Sequence, residues 1–386
     1  MCLLRGLGDD TWSALFLPEY AVSERIPTSK GVHPEAAHSG KPYLRPMKLS
    51  VYLTLLFPLF FCTCDRADNQ PAVSTERQEL TGQAMGSYYR VTYIGDSVPN
   101  LKYSIDSLLD AYNLELSAWV PNSKISQFNA DPRGVDLSGT DHFIPNLNLA
   151  RQIAEKTNGT YDPTVAPLVN YWGFGTGTPR TTADYDPAEI AALLPLIGLD
   201  NIQMKGDSLL KTAPGVQLDL NASAKGYGVD LIAELLNDRG RPDHLIDIGG
   251  EMRGGGQKPG GPPWRVAIRL PDEDKTKIAQ AGTLPLGGGR ALATSGNYLN
   301  YYKVDGETFS HTINPKTGLV ERNRLLSASV LAPNCATADA YATACMVLGP
   351  EAGMELINAD DQLEGYFLVR GAAGELTTMR SVGLEE

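Results

Sequence analysis

From about residue 80 onward, helix-like and strand-like patterns alternate irregularly, and this order limits the folds that the chain can adopt. Apolar residues recur at helical spacing between Leu101 and Tyr112, and the segment NLNLARQIAEKTNG predicts a second helix closed by its final glycine. Residues 87–95, SYYRVTYIG, are aromatic and β-branched, which favours a strand. A late segment, ALATSGNYLNYYKVDGETFSHTI, predicts a strand pair that turns at Asp305 and Gly306. The sequence therefore predicts an α+β fold, a single domain with mixed or antiparallel sheets packed with helices.

Local signals predict further elements. The segment DPAEIAALLPLIG begins with Asp186 as a helix N-cap and Pro187 at the first helical position. The segment GVQLDLNAS predicts a strand that runs into the helix KGYGVDLIAELLNDRG. The segment MRGGGQKPGGPP is rich in glycine and proline, which predicts a flexible loop. Further strands are predicted at HLIDIGG, WRVAIRL, EGYFLVRG and ELTTMRS.

A signal-like segment occupies residues 47–64, MKLSVYLTLLFPLFFCTC. Its apolar run from Val51 to Phe61 is too short to span a bilayer and suits the core of a signal peptide. The segment resembles a bacterial lipoprotein signal, which implies a lipid anchor at Cys64, or else at Cys62. An ordinary secretory signal and an uncleaved anchor are the alternatives. We expect a periplasmic protein, lipid-anchored to the inner membrane.

This segment divides the chain into four predicted parts. A signal peptide stands at an N-terminus, so residues 1–46 are interpreted as an extension caused by a wrongly placed gene start. Residues 47–64 are the signal, and residues 65–83 are predicted to be a polar tether. Residues 84–386 are predicted to be the folded domain.

Composition and motif searches exclude several classes of function. The net charge of −12 and the lack of a basic run argue against nucleic acid as a partner. The chain has neither a P-loop motif nor a GxGxxG between a strand and a helix, so neither nucleotide fold is supported. A multi-histidine zinc site is not expected, because only five histidines occur and His33 and His38 belong to the extension.

Two cysteines, Cys335 and Cys345, remain in the folded part of the chain. They are separated largely along one predicted helix, which would put them roughly 15 Å apart. That distance is too long for a disulfide, so we expect buried free thiols.

Residues 336–349, ATADAYATACMVLG, predict a helix of mostly small residues that carries two oxygen-bearing side chains. Asp339 and Thr343 are four residues apart and therefore share one helix face. A hard cation would suit this pair, and so would a helix cap. A carboxylate near a helix start can also serve the dipole, and a threonine can bond back to its own helix.

Other polar residues stand at predicted strand ends and turns. Asp162 follows a helix end, Asp219 lies on a predicted strand, and Lys225 stands at the next helix start. A lysine at a helix N-terminus forms an anion site. His311 stands at a strand end. Taken singly, each has a structural alternative: a turn former, a solvated lysine, or a histidine without a function.

As an ordered set, these segments resemble the ApbE family, the FAD:protein FMN transferases. The resemblance covers about residues 84–349, and its eight blocks occur in the order of the family. They are AMGSYYRVTY, LSAWVPNSKISQFN, YDPTVAPLVNYWGFG, LDLNASAKGYGVD, IDIGGEMRGGG, ALATSGNY, SHTINPKTG and ATADAYATACMVLG.

The resemblance implies a reaction. The family takes FAD and attaches its FMN half to a Ser or Thr of an acceptor protein. A phosphodiester forms, AMP leaves, and Mg²⁺ is required. Typical acceptors are flavoprotein subunits with a short flavinylation motif, for example membrane subunits of redox pumps.

The resemblance also implies site residues. Mg²⁺ would be held by Asp339, Thr343 and the backbone carbonyl of Ala222, while Ala342 stands where some members carry an acidic residue. His311 would be the base that activates the acceptor hydroxyl. Trp119 and Tyr161 would offer flat apolar faces to the ring systems. The implied FAD contacts are Met85, Trp119, Thr160, Tyr161, Asp162, Asp219, Lys225 and Ile313.

Two other functions stay open at this point. One is an FAD pyrophosphatase that forms FMN and AMP, and it would keep the same metal site. The other is a non-catalytic FAD-binding lipoprotein, for which the set of Asp339, Thr343 and His311 would be unnecessary. A lipoprotein that binds a non-flavin solute is a more distant alternative.

Overall fold

The centre of the fold is an antiparallel sheet that has helices on one face and a β-hairpin on the other. The computed structural model describes residues 75–175, 186–269, 280–297, 301–304, 307–310 and 312–384. Within these residues the strands are β1 (Arg77–Ala84), β2 (Ser87–Ile94), β3 (Gly134–Asp136), β4 (Ile202–Lys205), β5 (Ser208–Lys211), β6 (His244–Ile248), β7 (Glu251–Gly255), β8 (Trp264–Arg269), β9 (Gln280–Leu286), β10 (Ala291–Gly296), β11 (Tyr301–Val304), β12 (Glu307–Ser310), β13 (Leu325–Ala332), β14 (Glu364–Arg370) and β15 (Leu376–Arg380).

The α-helices of the described part are distributed along the whole domain. Two short 3₁₀ turns, Leu194–Leu196 and Leu199–Asn201, follow the fifth helix. The helices are α1 (Leu101–Leu116), α2 (Lys124–Ala130), α3 (Phe143–Lys156), α4 (Ala166–Tyr171), α5 (Pro187–Leu193), α6 (Asn221–Asp238), α7 (Cys335–Leu348) and α8 (Pro350–Asn358).

Eight strands form the main sheet in the order β1-β2-β6-β7-β10-β13-β14-β15, and each neighbouring pair is antiparallel. Three small sheets accompany it: β3-β5-β4, β8-β9 and β11-β12. The mixture of antiparallel sheets and helices confirms the predicted α+β class. The described residues all fall in one unit, residues 70–386.

The main sheet is buried on both faces at its central strands, whereas its outermost strands, β1 and β15, are partly exposed. On β13, Ala328 and Val330 belong to the core shared with α7, whereas Leu331 packs with Trp264 and Leu286 of the β8–β9 hairpin. Side chains alternate between the faces of a strand, so this pattern is expected for a sheet covered on both sides. Helix α7 packs against β10, β13 and α6.

Several local predictions are confirmed. Asp186 caps α5 by accepting a hydrogen bond from the Ala188 N–H at 2.8 Å, with Pro187 at the first helical position. Strands β11 and β12 pair as predicted, while the turn residues Asp305 and Gly306 lie outside the described residues. Cys335 and Cys345 are buried free thiols.

Three predictions are corrected. Residues 216–220 of GVQLDLNAS are irregular rather than a strand, so Asp219 lies in a connecting segment. The glycine-rich stretch that was expected to be a loop begins with strand β7, which pairs with β6 and β10. The predicted tether includes part of β1, because the polar residues 77–83 pair with β2 at the edge of the main sheet.

Candidate active site

The site is built where α6 and α7 cross with their backbones in contact. A Cβ atom at Gly226 of α6 would lie 2.3 Å from the Cys335 carbonyl oxygen of α7. Only a glycine fits so close an approach. The alanines of α7, which are fully buried, keep that helix narrow along its length. The small residues of both helices therefore bring their polar groups together.

Asp339 of α7 points at the first turns of α6. Its side chain is buried, and its Oδ2 accepts a hydrogen bond from the Gly226 N–H at 3.2 Å. In an α-helix the same N–H serves the carbonyl four residues earlier, which here belongs to Ala222. Both oxygens therefore approach one N–H group and lie within about 6 Å of each other. Burial raises the pKa of Asp339, and the Lys225 charge and the Gly226 N–H oppose that shift.

Thr343 stands one turn further along α7, on the same face as Asp339. Its hydroxyl lies 3.1 Å from the Ser295 hydroxyl of β10, so its partner is the sheet rather than its own helix. The cap of α7 is Asn334, whose side chain accepts a hydrogen bond from the Thr337 N–H at 2.9 Å. The capping role is thus filled by another residue, and neither Asp339 nor Thr343 is needed for it.

Lys225 of α6 is ion-paired with Glu251, the first residue of β7. Burial by itself would lower the pKa of Lys225, but the charges of Asp339 and Glu251 outweigh it and the pKa is raised. Burial, together with the negative charge of Asp339, raises the pKa of Glu251 to about 7. Two carboxylates and one ammonium therefore share this partly enclosed space.

Sequence analysis did not single out Glu251. Its side chain is 4% exposed, and its Oε2 has no hydrogen-bond partner among the described residues. The signal that could have found it is its place directly after Gly249 and Gly250, which end the predicted strand HLIDIGG. Both glycines have positive φ, at 61° and 110°, and they form the turn from β6 to β7.

A second carboxylate links the same two helices, but it belongs to α6 and binds the start of α7. Asp230 of α6 accepts hydrogen bonds from the N–H groups of Cys335 and Ala336, both at 2.9 Å, at the start of α7. Its Oδ1 also lies 2.7 Å from Arg253 Nη1 of β7. Burial raises the pKa of Asp230, while Arg253 and the two N–H groups oppose the shift. Asp230 and Asp339 together fix how α6 and α7 are placed.

The hairpin turn between β1 and β2 contributes Met85. This residue adopts a φ of 52°, an uncommon conformation for a residue with a side chain. Its sulfur would lie 3.1 Å from a Cβ at Gly228, so Met85 packs over α6. A cavity of about 500 Å³ is lined by residues 83–88 of this turn.

The predicted segment from Thr160 to Asp162 is joined to Asp219 through a neighbouring residue. The Asp219 N–H donates to the Pro163 carbonyl at 2.7 Å. The Tyr161 hydroxyl donates to Ser223 Oγ of α6 at 3.2 Å, and its ring is buried in the core. The expected flat face of Tyr161 is therefore enclosed by protein, and only Trp119 offers an open face.

Three predicted residues are not brought into this cluster by the described contacts. Trp119 lies between α1 and α2 with its side chain 62% exposed. Ile313 is buried in a separate apolar cluster with Leu168 and Trp172. His311 lies outside the described residues; the next residue, Thr312, is buried and donates a hydrogen bond to Asn297 Oδ1 at 3.1 Å.

The oxygen groups of the cluster fit a hard divalent cation. The Asp339 carboxylate, the Thr343 hydroxyl and the Ala222 carbonyl are all oxygen donors on two neighbouring helices. Mg²⁺ is commonly bound through one or two protein groups and completed by water and substrate phosphate. Within the described residues, no group of three or more His, Cys, Asp or Glu side chains is arranged to hold a metal ion.

A larger cavity, of about 540 Å³, lies elsewhere, beside the β8–β9 hairpin. Arg265, Arg290 and Arg380 are among its lining residues, and none of the predicted site residues is. We therefore assign the chemistry to the α6–α7 cluster.

Among the described helices, none has the length and apolar character needed to cross a bilayer.

Comparisons with known proteins find a family and several similar chains. Residues 85–367 match the model of the ApbE family. A curated FAD:protein FMN transferase from Vibrio cholerae is 36% identical over 292 residues, which cover 74% of this chain and 85% of that protein. One from Klebsiella pneumoniae is 34% identical over 325 residues, covering 82% and 91%. A solved flavin transferase ApbE from Vibrio cholerae aligns with a TM-score of 0.71 at 33% identity, covering 80% of this chain and 97% of that one.

Proposed function

This chain belongs to the ApbE family and is an FAD:protein FMN transferase, and we propose that it moves the FMN half of FAD to a Ser or Thr hydroxyl of an acceptor protein in an Mg²⁺-dependent reaction. The observation that carries the proposal is Asp339, a buried carboxylate aimed at the start of α6 beside Lys225. The acceptor side chain, the metal and the product are the proposed details.

The proposed reaction replaces the phosphoanhydride bond between the two halves of FAD by a phosphate ester bond to the acceptor. The acceptor hydroxyl oxygen bonds to the phosphorus of the FMN half, and the bond from that phosphorus to the AMP oxygen breaks. AMP leaves, and the hydroxyl proton passes to a base. We assign the base to His311, because a neutral histidine near pH 7 suits the removal of a hydroxyl proton.

Each residue of the cluster has a defined part in this proposal. Asp339, Thr343 and the Ala222 carbonyl would hold the cation through oxygen atoms. When bound, Mg²⁺ polarises the attacked phosphoryl group and offsets charge on the departing AMP. The structure begins α6 at Asn221, four residues before the predicted helix start, and Lys225 in the second turn attracts the diphosphate together with the helix N-terminus. Met85 and the exposed ring of Trp119 are proposed to contact FAD.

The cellular setting is proposed from the sequence of residues 47–64, which lie outside the described residues. A lipoprotein-type signal would place the enzyme in the periplasm, lipid-anchored to the inner membrane at Cys64 or Cys62. Membrane-bound flavoprotein subunits with a flavinylation motif would be accessible acceptors there.

The test is the intact mass of an acceptor. The protein is mixed with FAD, Mg²⁺ and a protein that carries a flavinylation motif. A gain of one FMN on the acceptor, lost when the metal is chelated, is the expected result. Release of AMP with an unchanged acceptor would replace the proposal by FAD pyrophosphatase activity. Bound but uncleaved FAD would leave a flavin-binding lipoprotein.

A further inference from the structure

Glu251 is a buried carboxylate with one oxygen in use and one free. Oε1 contacts the Lys225 ammonium, whereas Oε2 is buried without a hydrogen-bond partner among the described residues. A buried ionised oxygen that lacks a donor is unfavourable, so such an atom indicates a missing partner. A Cβ at Gly249 would stand 3.7 Å from Oε2 and 2.7 Å from the Ser87 hydroxyl oxygen, so the turn before β7 passes close to this carboxylate.

Lys225 creates an electrostatic difficulty for the proposed cation. Its ammonium interacts with Asp339, the only carboxylate of the proposed metal site, and it would repel a divalent cation bound there. Glu251 removes this difficulty by pairing with Lys225. With all three side chains ionised, the cluster carries one net negative charge and attracts a cation; without Glu251 it would be neutral.

We propose that Glu251 is a positioning residue of the divalent-cation site, which neutralises Lys225 with Oε1 and accepts a hydrogen bond from cation-bound water with Oε2. Mg²⁺ usually keeps several waters in protein sites, and these waters are hydrogen-bond donors. The inference rests on the proposed function, since it takes the Mg²⁺ site at Asp339 as given. It adds to that function a residue that does not ligate the metal directly.

The experiment measures binding of Mn²⁺ alone, without FAD, by the electron paramagnetic resonance signal of free Mn²⁺. Mn²⁺ takes the same oxygen ligands as Mg²⁺. The proteins are the wild type, Glu251→Gln, Lys225→Met and the double variant. The double variant removes both charges of the ion pair together, so neither charge is left without its partner. Thermal unfolding of each protein checks that it is folded.

We expect Glu251→Gln to weaken Mn²⁺ binding by about ten- to a hundredfold, because it leaves Lys225 uncompensated. In the Lys225→Met background the same substitution should have a clearly smaller effect, since no ammonium remains to be neutralised. A purely structural role would instead weaken binding equally in both backgrounds, and that result would overturn the proposal.

Glu364→Gln is the matched control. Glu364 also forms an ion pair, with Arg290 at 2.8 Å, but it lies on β14 beside the larger cavity. It should bind Mn²⁺ as the wild type does. Unchanged binding in Glu251→Gln would overturn this inference and leave the acceptor-mass test intact. A wild-type protein that binds no Mn²⁺ would overturn it as well, and the proposed Mg²⁺ step with it.

Discussion

Asp339 of α7 accepts a hydrogen bond from the Gly226 N–H of α6 at 3.2 Å, at the point where the two helices touch. The contact is possible only because residue 226 has no side chain. The backbone of α6 therefore serves the packing of the fold and the placement of the Asp339 carboxylate at once. Changes at this crossing should affect both stability and activity.

Gly226→Ala tests the helix crossing. A Cβ at this position would lie 2.3 Å from the Cys335 carbonyl oxygen, which is backbone and cannot move alone. We expect the free energy of unfolding to fall by about 1–3 kcal/mol, despite the higher helix propensity of alanine. Urea unfolding followed by circular dichroism measures the change.

Gly228→Ala is the control for that substitution, two residues further along α6. Its Cβ would first meet the Met85 sulfur at 3.1 Å, and that side chain is flexible. The gain in helix propensity, about 1 kcal/mol, should offset the contact. Equal losses of unfolding free energy in the two variants would show that the contact between Gly226 and the backbone of α7 is not what requires a glycine there.

Asp230→Asn tests the reverse link, from α6 to the start of α7. The variant leaves Arg253 without its buried partner, which typically costs about 3–5 kcal/mol of stability. Chemical denaturation measures it. Glu351→Gln is the control, because it removes an exposed ion pair with Arg324. The side chains of Arg324 and Glu351 are 53% and 64% exposed, so the variant should change stability by less than about 1 kcal/mol. A comparable loss in both variants would contradict the assigned role of Asp230.

The sequence predicts the fold well where local periodicity determines an element. The prediction fails where long-range contacts determine the element. Residues 216–220 look like a strand, but the Leu218 N–H donates to Asn129 Oδ1 at 2.7 Å and its carbonyl accepts from Asn129 Nδ2 at 2.9 Å. A side chain therefore takes the place of a neighbouring strand. The glycines of residues 252–255 predict a loop, but these residues form part of strand β7. A Cβ at Gly254 would lie 2.3 Å from the Leu286 carbonyl oxygen, so glycine there reflects the close approach of the β8–β9 hairpin.

The residues of the site also fall into two groups: those that local spacing predicts and those that only tertiary packing brings together. Asp339 and Thr343 could be predicted because four residues on a helix share one face, and α7 has that geometry. The ion pair between Lys225 and Glu251 joins a helix to a strand, and no spacing in the sequence predicts it. The burial of the Tyr161 ring depends likewise on the packing of α6. Local patterns thus indicated which polar residues share a helix face, whereas tertiary packing determines which charged groups meet.

A pH dependence is expected from His244 at the start of β6. It is 1% exposed, its Nδ1–H donates to the Arg241 carbonyl at 2.9 Å, and burial lowers its pKa from 6.5. The unfolded chain therefore takes up a proton that the folded chain resists. This contribution to stability is present above about pH 6.5 and is lost as the pH falls below that value.

His244→Gln keeps a side-chain N–H for the Arg241 carbonyl but cannot be protonated. Unfolding free energies of the wild type and the variant, measured from pH 8 to pH 5, should differ in slope below about pH 6.5. Buried carboxylates such as Asp230 act in the opposite direction, but they are common to both proteins and cancel in the comparison. Parallel curves would show that His244 titrates normally.

His311→Ala should slow FMN transfer strongly while FAD still binds. The expected loss of turnover is about a hundredfold or more, the usual contribution of a general base. Flavin fluorescence measures binding, and acceptor mass measures transfer. Transfer at the wild-type rate would place the base elsewhere.

Asp339→Asn separates the charge of the carboxylate from its shape. The amide oxygen can still accept from the Gly226 N–H, so the helix crossing should survive. The variant loses the only carboxylate of the proposed cation site, and Mg²⁺-dependent turnover should fall by at least about a hundredfold. Thr343→Ser, which keeps the hydroxyl bonded to Ser295, should retain most activity. FAD binding without metal should be unchanged or tighter in Asp339→Asn, because a negative charge near the diphosphate is gone. Normal Mg²⁺-dependent turnover in this variant would remove the metal role from Asp339 and, with it, the observation on which the proposed function rests.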